Sequence, residues 1–257
     1  MVLECVIRRA NIRTSKTLAT SSVQIVAFAD DVDIVGRTEA AVKEMYLVLK
    51  GEAEKVGLTV NEQKTKYMST KGDDRCYFIV GDQRFEIVKE FVYLGALVRG
   101  DADNSMEIKR RILMANRCFY GLKKHLRSKQ LTKKTKCAFY KTIIRPVLTY
   151  GSESWPLTKS DENLLLKFER NVLRTIFGTK EENGAYRRRY NFELNKDYGD
   201  ANIIAIIKTN RLRWAGHVAR MEDERPAKTL FNIDQKCVGL MECKVIYVLS
   251  MLETGQL

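Results

Sequence analysis

The sequence lacks any uninterrupted apolar run of the roughly 18 residues that a membrane-spanning helix requires. Its first twenty residues also lack the apolar region of a secretory signal. Of the 257 residues, 45% are hydrophobic, which is enough for a packed core. We therefore expect a soluble protein of the nucleus or cytoplasm that is neither secreted nor bound to a membrane.

Clustered metal-binding cysteines and histidines are missing as well. The six cysteines, at positions 5, 76, 118, 137, 237 and 243, form no C-x-x-C pair, and the chain has only 2 histidines. Because zinc sites and disulfide frameworks need such ligands at recognisable spacings, the sequence indicates neither. Reduced thiols are the expectation.

Acidic residues are nearly absent from one segment. Residues 105–150 hold thirteen lysines and arginines against Glu107 alone, a net charge of +12 out of +13 for the whole chain. Residues 1–104, in contrast, hold fifteen basic and sixteen acidic groups. A charge excess confined to one segment predicts a surface that attracts phosphates.

The first hundred residues have the pattern of an α+β domain. Apolar runs at 23–29 and 32–35 predict two strands that form a hairpin, with Asp30-Asp31 at or beside the turn. Thr38 is placed to cap a helix that ends at Gly57. Short strands are predicted at 58–60, 67–69, 76–80 and 85–88.

After Gly100 the pattern becomes helical. Asn104 and Glu107 have the spacing of a capping box, and one face of the helix that follows is apolar. A second helix runs from about Thr132 towards Pro146, where proline bends or ends it, and a third ends at Gly178. We expect residues 1–100, 101–178 and 179–257 to form three regions, the last of uncertain fold.

Asp30 and Asp31 are flanked by strands too apolar to lie at the surface, and buried carboxylates are costly unless they are paired or bind a metal. Mg²⁺ prefers carboxylate oxygens, and a two-metal site activates an attacking hydroxyl while it stabilises the leaving pyrophosphate. The alternative is an ordinary turn, for which aspartate is a favoured residue.

The hairpin and four ordered motifs downstream of it carry a resemblance to the reverse transcriptases of non-LTR (LINE-type) retrotransposons. The hairpin resembles their F/Y-A-D-D segment, and residues 57–65 resemble their G-L-x-x-N-x-x-K-T motif. Residues 91–95 are similar to the F-x-Y-L-G primer grip, and residues 140–155 to the Y-G-x-E-x-W stretch beyond the thumb. Residues 211–220, with the pattern R-W-x-G-H-V-x-R, resemble the later tail of the same proteins.

The resemblance implies a partial polymerase palm at 1–100 followed by a helical thumb. It implies that Asp30 and Asp31 hold two Mg²⁺ ions, that Lys64 lies near the phosphates of the incoming deoxynucleoside triphosphate, and that an RNA template and a DNA primer are the partners. The residues that would position the primer end are Phe91, Tyr93, Leu94 and Gly95. Lys64 could instead be a solvated loop lysine, and residues 91–95 an ordinary strand and turn.

The basic helix would correspond to the thumb, which grips the backbone of template and primer. Neutralising about 6 to 10 phosphates makes the affinity fall roughly 10³- to 10⁵-fold between 50 and 200 mM salt. A solvated helix surface is the alternative. The predicted nucleic-acid-binding residues are Lys109, Arg110, Arg111, Arg117, Lys123 and Lys124.

No aspartate precedes Asp30, whereas the family has another metal-binding aspartate on an earlier strand and a fingers region. We therefore expect a truncated copy whose isolated chain does not polymerise, since the missing ligand leaves the attacking hydroxyl without a position. A non-catalytic nucleic-acid-binding remnant is the alternative function. A structural or protein-interaction module, with neither activity, is a third possibility.

Overall fold

The computed structural model describes residues 2–11, 21, 23–70, 72–101 and 103–232, together with the strands at 244–248 and 251–253. Its α+β fold divides into two compact units. Unit 1 comprises 1–93, 97–103 and 218–257, and unit 2 comprises 94–96 and 104–217. Within the described part of the chain, no helix combines the length and apolar character needed to cross a membrane.

Strands dominate the first part of the chain and recur near its end. They are β1 (Val23–Phe28), β2 (Asp31–Gly36), β3 (Leu58–Val60), β4 (Lys66–Ser69), β5 (Tyr77–Val80), β6 (Gln83–Ile87), β7 (Glu90–Tyr93), β8 (Ala96–Arg99), β9 (Lys180–Glu182), β10 (Ala185–Arg187), β11 (Lys244–Val248) and β12 (Met251–Glu253). The predicted hairpin and the four predicted short strands are confirmed within one or two residues at their ends.

The helices are α1 (Val2–Arg9), α2 (Glu39–Glu54), α3 (Ser105–Arg127), α4 (Lys133–Phe139), α5 (Arg145–Thr149), α6 (Lys159–Phe177), α7 (Asn191–Tyr198), α8 (Ile203–Ala219) and α9 (Pro226–Asn232). A π-helical segment, Tyr140–Ile144, joins α4 to α5, and a 3₁₀ turn, Ser152–Ser154, precedes α6. The backbone therefore continues in helical form through Pro146, which lies in the first turn of α5 where a missing N–H is tolerated.

Unit 1 is built around a six-stranded sheet in the order β1-β2-β11-β4-β6-β5. β11 lies antiparallel between β2 and β4, with Val245 opposite Val35 on one side and Met68 on the other. The insertion of β11 makes β2 an interior strand. The hairpin pattern alone predicted only the β1 partner of β2.

The helix α2 packs its apolar stripe into the core of unit 1. Val42, Tyr46, Leu49 and Ala53 are fully buried, and the Thr38 side chain accepts a hydrogen bond from the Ala41 amide, as a cap should. The hydrogen bond to Thr38 confirms the predicted cap. The same core holds a stacked aromatic pair, Tyr67 with Phe78, and an edge-to-face pair, Tyr46 with Phe85.

Unit 2 has a helical core that includes the residues on both sides of Gly178. Buried side chains from α3 and α6 pack with Leu194, Ile203 and Ile207 from the later helices. The buried carboxyl of Glu169 links them: it accepts a hydrogen bond from the Tyr140 hydroxyl at 2.9 Å and one from the Ile203 amide at 3.1 Å. Burial raises the pKa of Glu169, and these two bonds oppose the shift.

The capping box predicted for Asn104 and Glu107 is wrong. Asn104 stands before the first turn of α3, but within the described residues its side chain makes no capping hydrogen bond. Glu107 is buried and pairs instead with Arg110 and Arg111. A capping box does form at α6, where Thr158 and Asp161 exchange side-chain-to-amide bonds, and the predicted end of the third helix at Gly178 is confirmed.

Candidate functional site

The Asp30-Asp31 pair lies at the tip of the β1–β2 hairpin. Phe28 is paired with Asp31, so Ala29 and Asp30 form a two-residue turn. Ala29 has a φ of 56°, a left-handed conformation that costs an L-residue about 1–2 kcal/mol. The turn therefore holds Asp30 at the exposed tip and Asp31 at the first, half-buried position of β2. Backbone strain of this kind is concentrated at functional sites.

A third carboxylate, that of Asp33, lies on the same face of β2 as Asp31, because side chains alternate along a strand. Asp33 is only 7% exposed. Burial and the negative charge of Asp31 raise its pKa to about 7, and the hydroxyl of Tyr93 partly opposes this shift. Sequence reasoning gave Asp33 no role, although its spacing of two from Asp31 was the available signal.

The Asp33–Tyr93 interaction connects two motifs within unit 1. Tyr93 is the aromatic residue of the F-x-Y-L-G segment and ends β7. Its own pKa is raised to about 12 by burial and by the negative charges of Asp33 and Asp31. Two motifs that are sixty residues apart in the sequence thus meet at a pair of interacting polar side chains.

The carboxylates have the chemistry of a magnesium site but form only part of one. Mg²⁺ takes oxygen ligands, and a buried oxygen, Oδ1 of Asp33, has no hydrogen-bond partner among the described residues. A divalent cation close to this strand would offset the repulsion between Asp31 and Asp33. The described residues contain no group of three histidine, cysteine, aspartate or glutamate side chains that could together hold an ion. The set therefore does not fit a complete two-metal site.

Lys64 lies in a turn organised by Asn61. The Asn61 side-chain oxygen accepts a hydrogen bond from the Lys64 amide, and the Asn61 carbonyl accepts bonds from the amide and hydroxyl of Thr65. Thr65 is fully buried, whereas Lys64 is exposed. The motif thus fixes the backbone and leaves the lysine side chain accessible to solvent.

The F-x-Y-L-G segment ends in a tight turn between β7 and β8. Leu94 and Gly95 both have positive φ, at 44° and 79°. Phe91 is half-buried at the start of the segment. In unit 2, the Leu94 carbonyl accepts a hydrogen bond from the Tyr150 hydroxyl at 2.7 Å, and the Gly95 carbonyl accepts one from Arg110 at 2.9 Å.

The predicted basic residues of α3 divide into two groups by exposure. Lys109, Arg117 and Lys124 are exposed, while Lys123 is half-buried with its ammonium 4.9 Å from the centre of the Tyr120 ring. These four cations face solvent wholly or in part. Arg110 is half-buried, and its Nη1 donates hydrogen bonds to both the Glu107 carboxylate and the Gly95 carbonyl.

Arg111 differs from the rest of the predicted set. It is 4% exposed, bonds the Glu107 carboxylate at 2.6 Å, donates to the Gly95 carbonyl and stacks 4.4 Å over the Tyr150 ring. Its Nε and Nη2 donors are therefore used within the protein, and with its burial this leads us to reassign it from a phosphate contact to a structural residue. The sequence signal was its spacing of three after Ile108 and four before Ala115, which puts it on the apolar face.

Comparison with known proteins shows that the chain is similar to a protein derived from a transposon. It is 27% identical over 202 residues to an uncharacterised transposon-derived protein of Caenorhabditis elegans, an alignment that covers 77% of this chain and 72% of that protein. No protein-family profile matches the chain, and no solved structure matches it. The similarity indicates an origin in a transposable element.

Proposed function

We propose that this chain is part of the RNA-directed DNA polymerase of a non-LTR retrotransposon, which adds deoxynucleotides to a DNA primer along an RNA template. The observation that carries the proposal is the β1–β2 hairpin, which presents Asp30 and Asp31 at a strained two-residue turn. The electrostatic interaction of Tyr93 with Asp33 supports it, because it relates the F-x-Y-L-G segment to the strand that carries the carboxylates. The transposon-derived relative is consistent with this origin.

In this proposal residues 1–100 are the palm and residues 101–178 the thumb. Asp30 and Asp31 would hold Mg²⁺ together with ligands from outside this chain, and the bound ions would activate the primer hydroxyl and stabilise the leaving pyrophosphate. The exposed Lys64 contacts phosphates of the incoming nucleotide. Residues 91–95 position the primer end, with the left-handed turn at Leu94 and Gly95 setting the shape of the segment.

Two carboxylates on one turn cannot by themselves hold two ions, so we assign no catalytic step to this chain alone. We expect the purified chain, given a homopolymer template, primer and Mg²⁺, to extend nothing. Incorporation that disappears in Asp30→Ala would contradict this expectation.

The decisive experiment is a chimera. The palm and thumb of an active non-LTR reverse transcriptase are replaced, downstream of its own first aspartate strand, by residues 23–257 of this chain, so that β11 and the helices after Gly178 are kept. We expect primer extension that Asp30→Ala or Asp31→Ala lowers at least a thousandfold, since each removes a metal ligand. Asp82→Ala, in the exposed Gly81-Asp82 turn, is the matched control. A chimera that folds and binds primer–template but extends nothing would refute the proposal.

A non-catalytic nucleic-acid-binding remnant is the second candidate. It is favoured by the exposed cations of α3 together with the incomplete set of metal ligands in the described residues. It predicts that the full chain binds primer–template, that Asp30→Ala and Asp31→Ala leave the affinity unchanged, and that the affinity falls steeply with salt. A protein-interaction module would show neither binding nor extension.

A further inference from the structure

A cavity of about 810 Å³ lies within unit 2, in a region for which the motifs suggest no role. One wall is a stripe along α6 formed by Lys167, Arg170 and Arg174, which are spaced by three and four and so share a helix face. The acidic residues of α6 have partners elsewhere: Asp161 in the capping box, Glu162 with Lys159, and Glu169 with Tyr140. The stripe therefore carries charge of one sign.

The opposite wall is the loop between β10 and α7, which ion pairs hold in place. Arg187 pairs with Glu182 and Glu193, and Arg189 pairs with Asp197 at 2.8 Å. Glu193 also accepts the Tyr190 amide, and its cationic partners hold its pKa far below the ordinary range. These contacts fix the backbone on both sides of Arg188, an exposed residue that lines the cavity.

The positive charge of the cavity is largely uncompensated. Five of its lining side chains are cationic, and none of the lining side chains in the described part of the chain is acidic. Lys167, Arg170 and Arg188 form no ion pair with any described residue. Burial, and then the charges of Arg188 and Arg170, lower the pKa of Arg174. Cations held this close repel one another, and a bound anion would relieve that repulsion.

Unsatisfied donors point to the same kind of ligand. The Nε atoms of Arg174 and Arg189 are buried and have no hydrogen-bond partner among the described residues. The remaining polar lining groups are amides and a hydroxyl, from Asn116, Asn171, Asn191 and Tyr190, and the Asn191 side-chain oxygen accepts a hydrogen bond from Nη2 of Arg174 at 2.7 Å. Guanidinium groups recognise phosphate oxygens through paired N–H donors, so the site has the chemistry of a phosphate site.

Exposed aromatic rings adjoin the cavity. Tyr190, one of its lining residues, is 57% exposed and stacks nearly parallel to Phe192, which is 69% exposed, with ring centres 5.9 Å apart. Arg187 lies over the Tyr190 ring at 4.4 Å, so the larger free ring surface is that of Phe192. A cationic groove beside open aromatic rings is the arrangement that binds unpaired bases and their backbone.

We propose that this cavity is a binding site for single-stranded nucleic acid, with phosphodiesters held by Lys167, Arg170, Arg174 and Arg188 and a base stacked on Phe192. The proposal rests on the proposed function for nucleic acid as the partner class. It adds a second site, built from cations of α6 and of the loop between β10 and α7, that takes an unpaired strand. The net charge summed over residues 151–185 is only −1, so the charge count along the sequence did not reveal the cationic stripe of α6.

The test is fluorescence anisotropy of the full chain with a labelled 15-nucleotide oligo(dT). Arg170→Gln/Arg188→Gln should weaken binding at least tenfold, and Phe192→Ala about tenfold, as expected for the loss of one stacked base. The control Lys196→Gln/Arg211→Gln removes the same charge from two exposed residues that lie outside the cavity, and should change affinity less than threefold. Thermal melts establish that each variant is folded.

Equal weakening by the cavity variant and the control variant would overturn the site. So would a Phe192→Ala variant that binds oligo(dT) normally while inorganic triphosphate competes as well as the oligonucleotide, since that result describes a small-anion pocket. Photo-crosslinking of oligo(4-thiouridine) should label the peptide containing Tyr190 and Phe192, and the absence of label from that peptide would contradict the proposed site. Asp30→Ala should not alter any of these results, so they stand apart from the chimera experiment.

Discussion

The carboxyl of Asp33 and the hydroxyl of Tyr93 shift each other's pKa: Tyr93 lowers that of Asp33, and Asp33 raises that of Tyr93. The larger influence on Asp33 is burial, which leaves its pKa at about 7 in the folded protein against an ordinary 3.8. Folding therefore favours the protonated form of this residue.

The first prediction concerns the pH dependence of stability. Because the folded chain binds the Asp33 proton more tightly than the unfolded chain does, this group's contribution is fully present below about pH 4 and is lost as pH rises through about 7. The loss is at most about 4 kcal/mol. Urea unfolding between pH 4 and pH 8, in EDTA, should show a smaller decline for Asp33→Asn than for the natural chain. Asp74→Asn, at an exposed carboxylate, should retain the decline.

The second prediction concerns the strained turn. Ala29→Gly should stabilise the protein by about 0.5–1 kcal/mol, because glycine adopts the positive φ of 56° without a steric penalty. Ala29→Val should destabilise it. Ala40→Gly, in the first turn of α2, is a control of opposite sign and should cost up to about 1 kcal/mol. A destabilised Ala29→Gly would mean that the turn holds no such strain.

The third prediction separates Arg111 from its basic neighbours. Arg111→Gln should lower the free energy of unfolding by about 3 kcal/mol, since it leaves the buried Glu107 with fewer partners. Arg117→Gln, on the exposed face of the same helix, should change it by less than about 0.5 kcal/mol. Urea denaturation measures both. Unchanged stability with weaker nucleic-acid binding in Arg111→Gln would restore its role as a phosphate contact.

The fourth prediction concerns the exposed face of α3. Lys109→Gln/Arg117→Gln/Lys124→Gln should weaken binding to an RNA–DNA primer–template roughly tenfold or more, and reduce the slope of log affinity against log salt by about 2–3. The charge-matched control is Lys89→Gln/Lys196→Gln/Arg211→Gln, all at exposed positions. The same slope for both triple variants would show that α3 has no particular part in binding.

Local patterns predicted much of the fold because they depend on near neighbours. The hairpin, the Thr38 cap and the stripe of α2 all follow from alternation, capping and spacing, and all are present. The position of β11 was beyond such reasoning, because this strand is more than two hundred residues from β2 in the sequence and nevertheless pairs with it. That pairing makes β2 an interior strand of the sheet.

Functional residues that are adjacent in the sequence could be predicted, whereas those that only the fold brings together could not. Asp30-Asp31 stand next to each other, whereas the cavity of unit 2 joins α6 to a loop that follows it. Net charge summed over segments also did not show that the cations of α6 lie on one face of the helix, while its acidic residues have partners elsewhere. For Arg111, in contrast, the spacing to Ile108 and Ala115 was enough to predict burial.

The two hydrogen bonds that converge on Glu169 have a practical consequence for dissecting the protein. Its carboxyl joins the π-helical segment before α5 to the first residue of α8, so the chain on either side of Gly178 depends on a shared buried acid. A fragment ending at Gly178 would lack Leu194, Ile203 and Ile207, so the apolar side chains of α3 and α6 that pack on them would be exposed. Glu169 would also lose its hydrogen bond from the Ile203 amide. A fragment of the helical half should therefore end after α8, so that it contains Glu169 together with both of its donors, Tyr140 and Ile203.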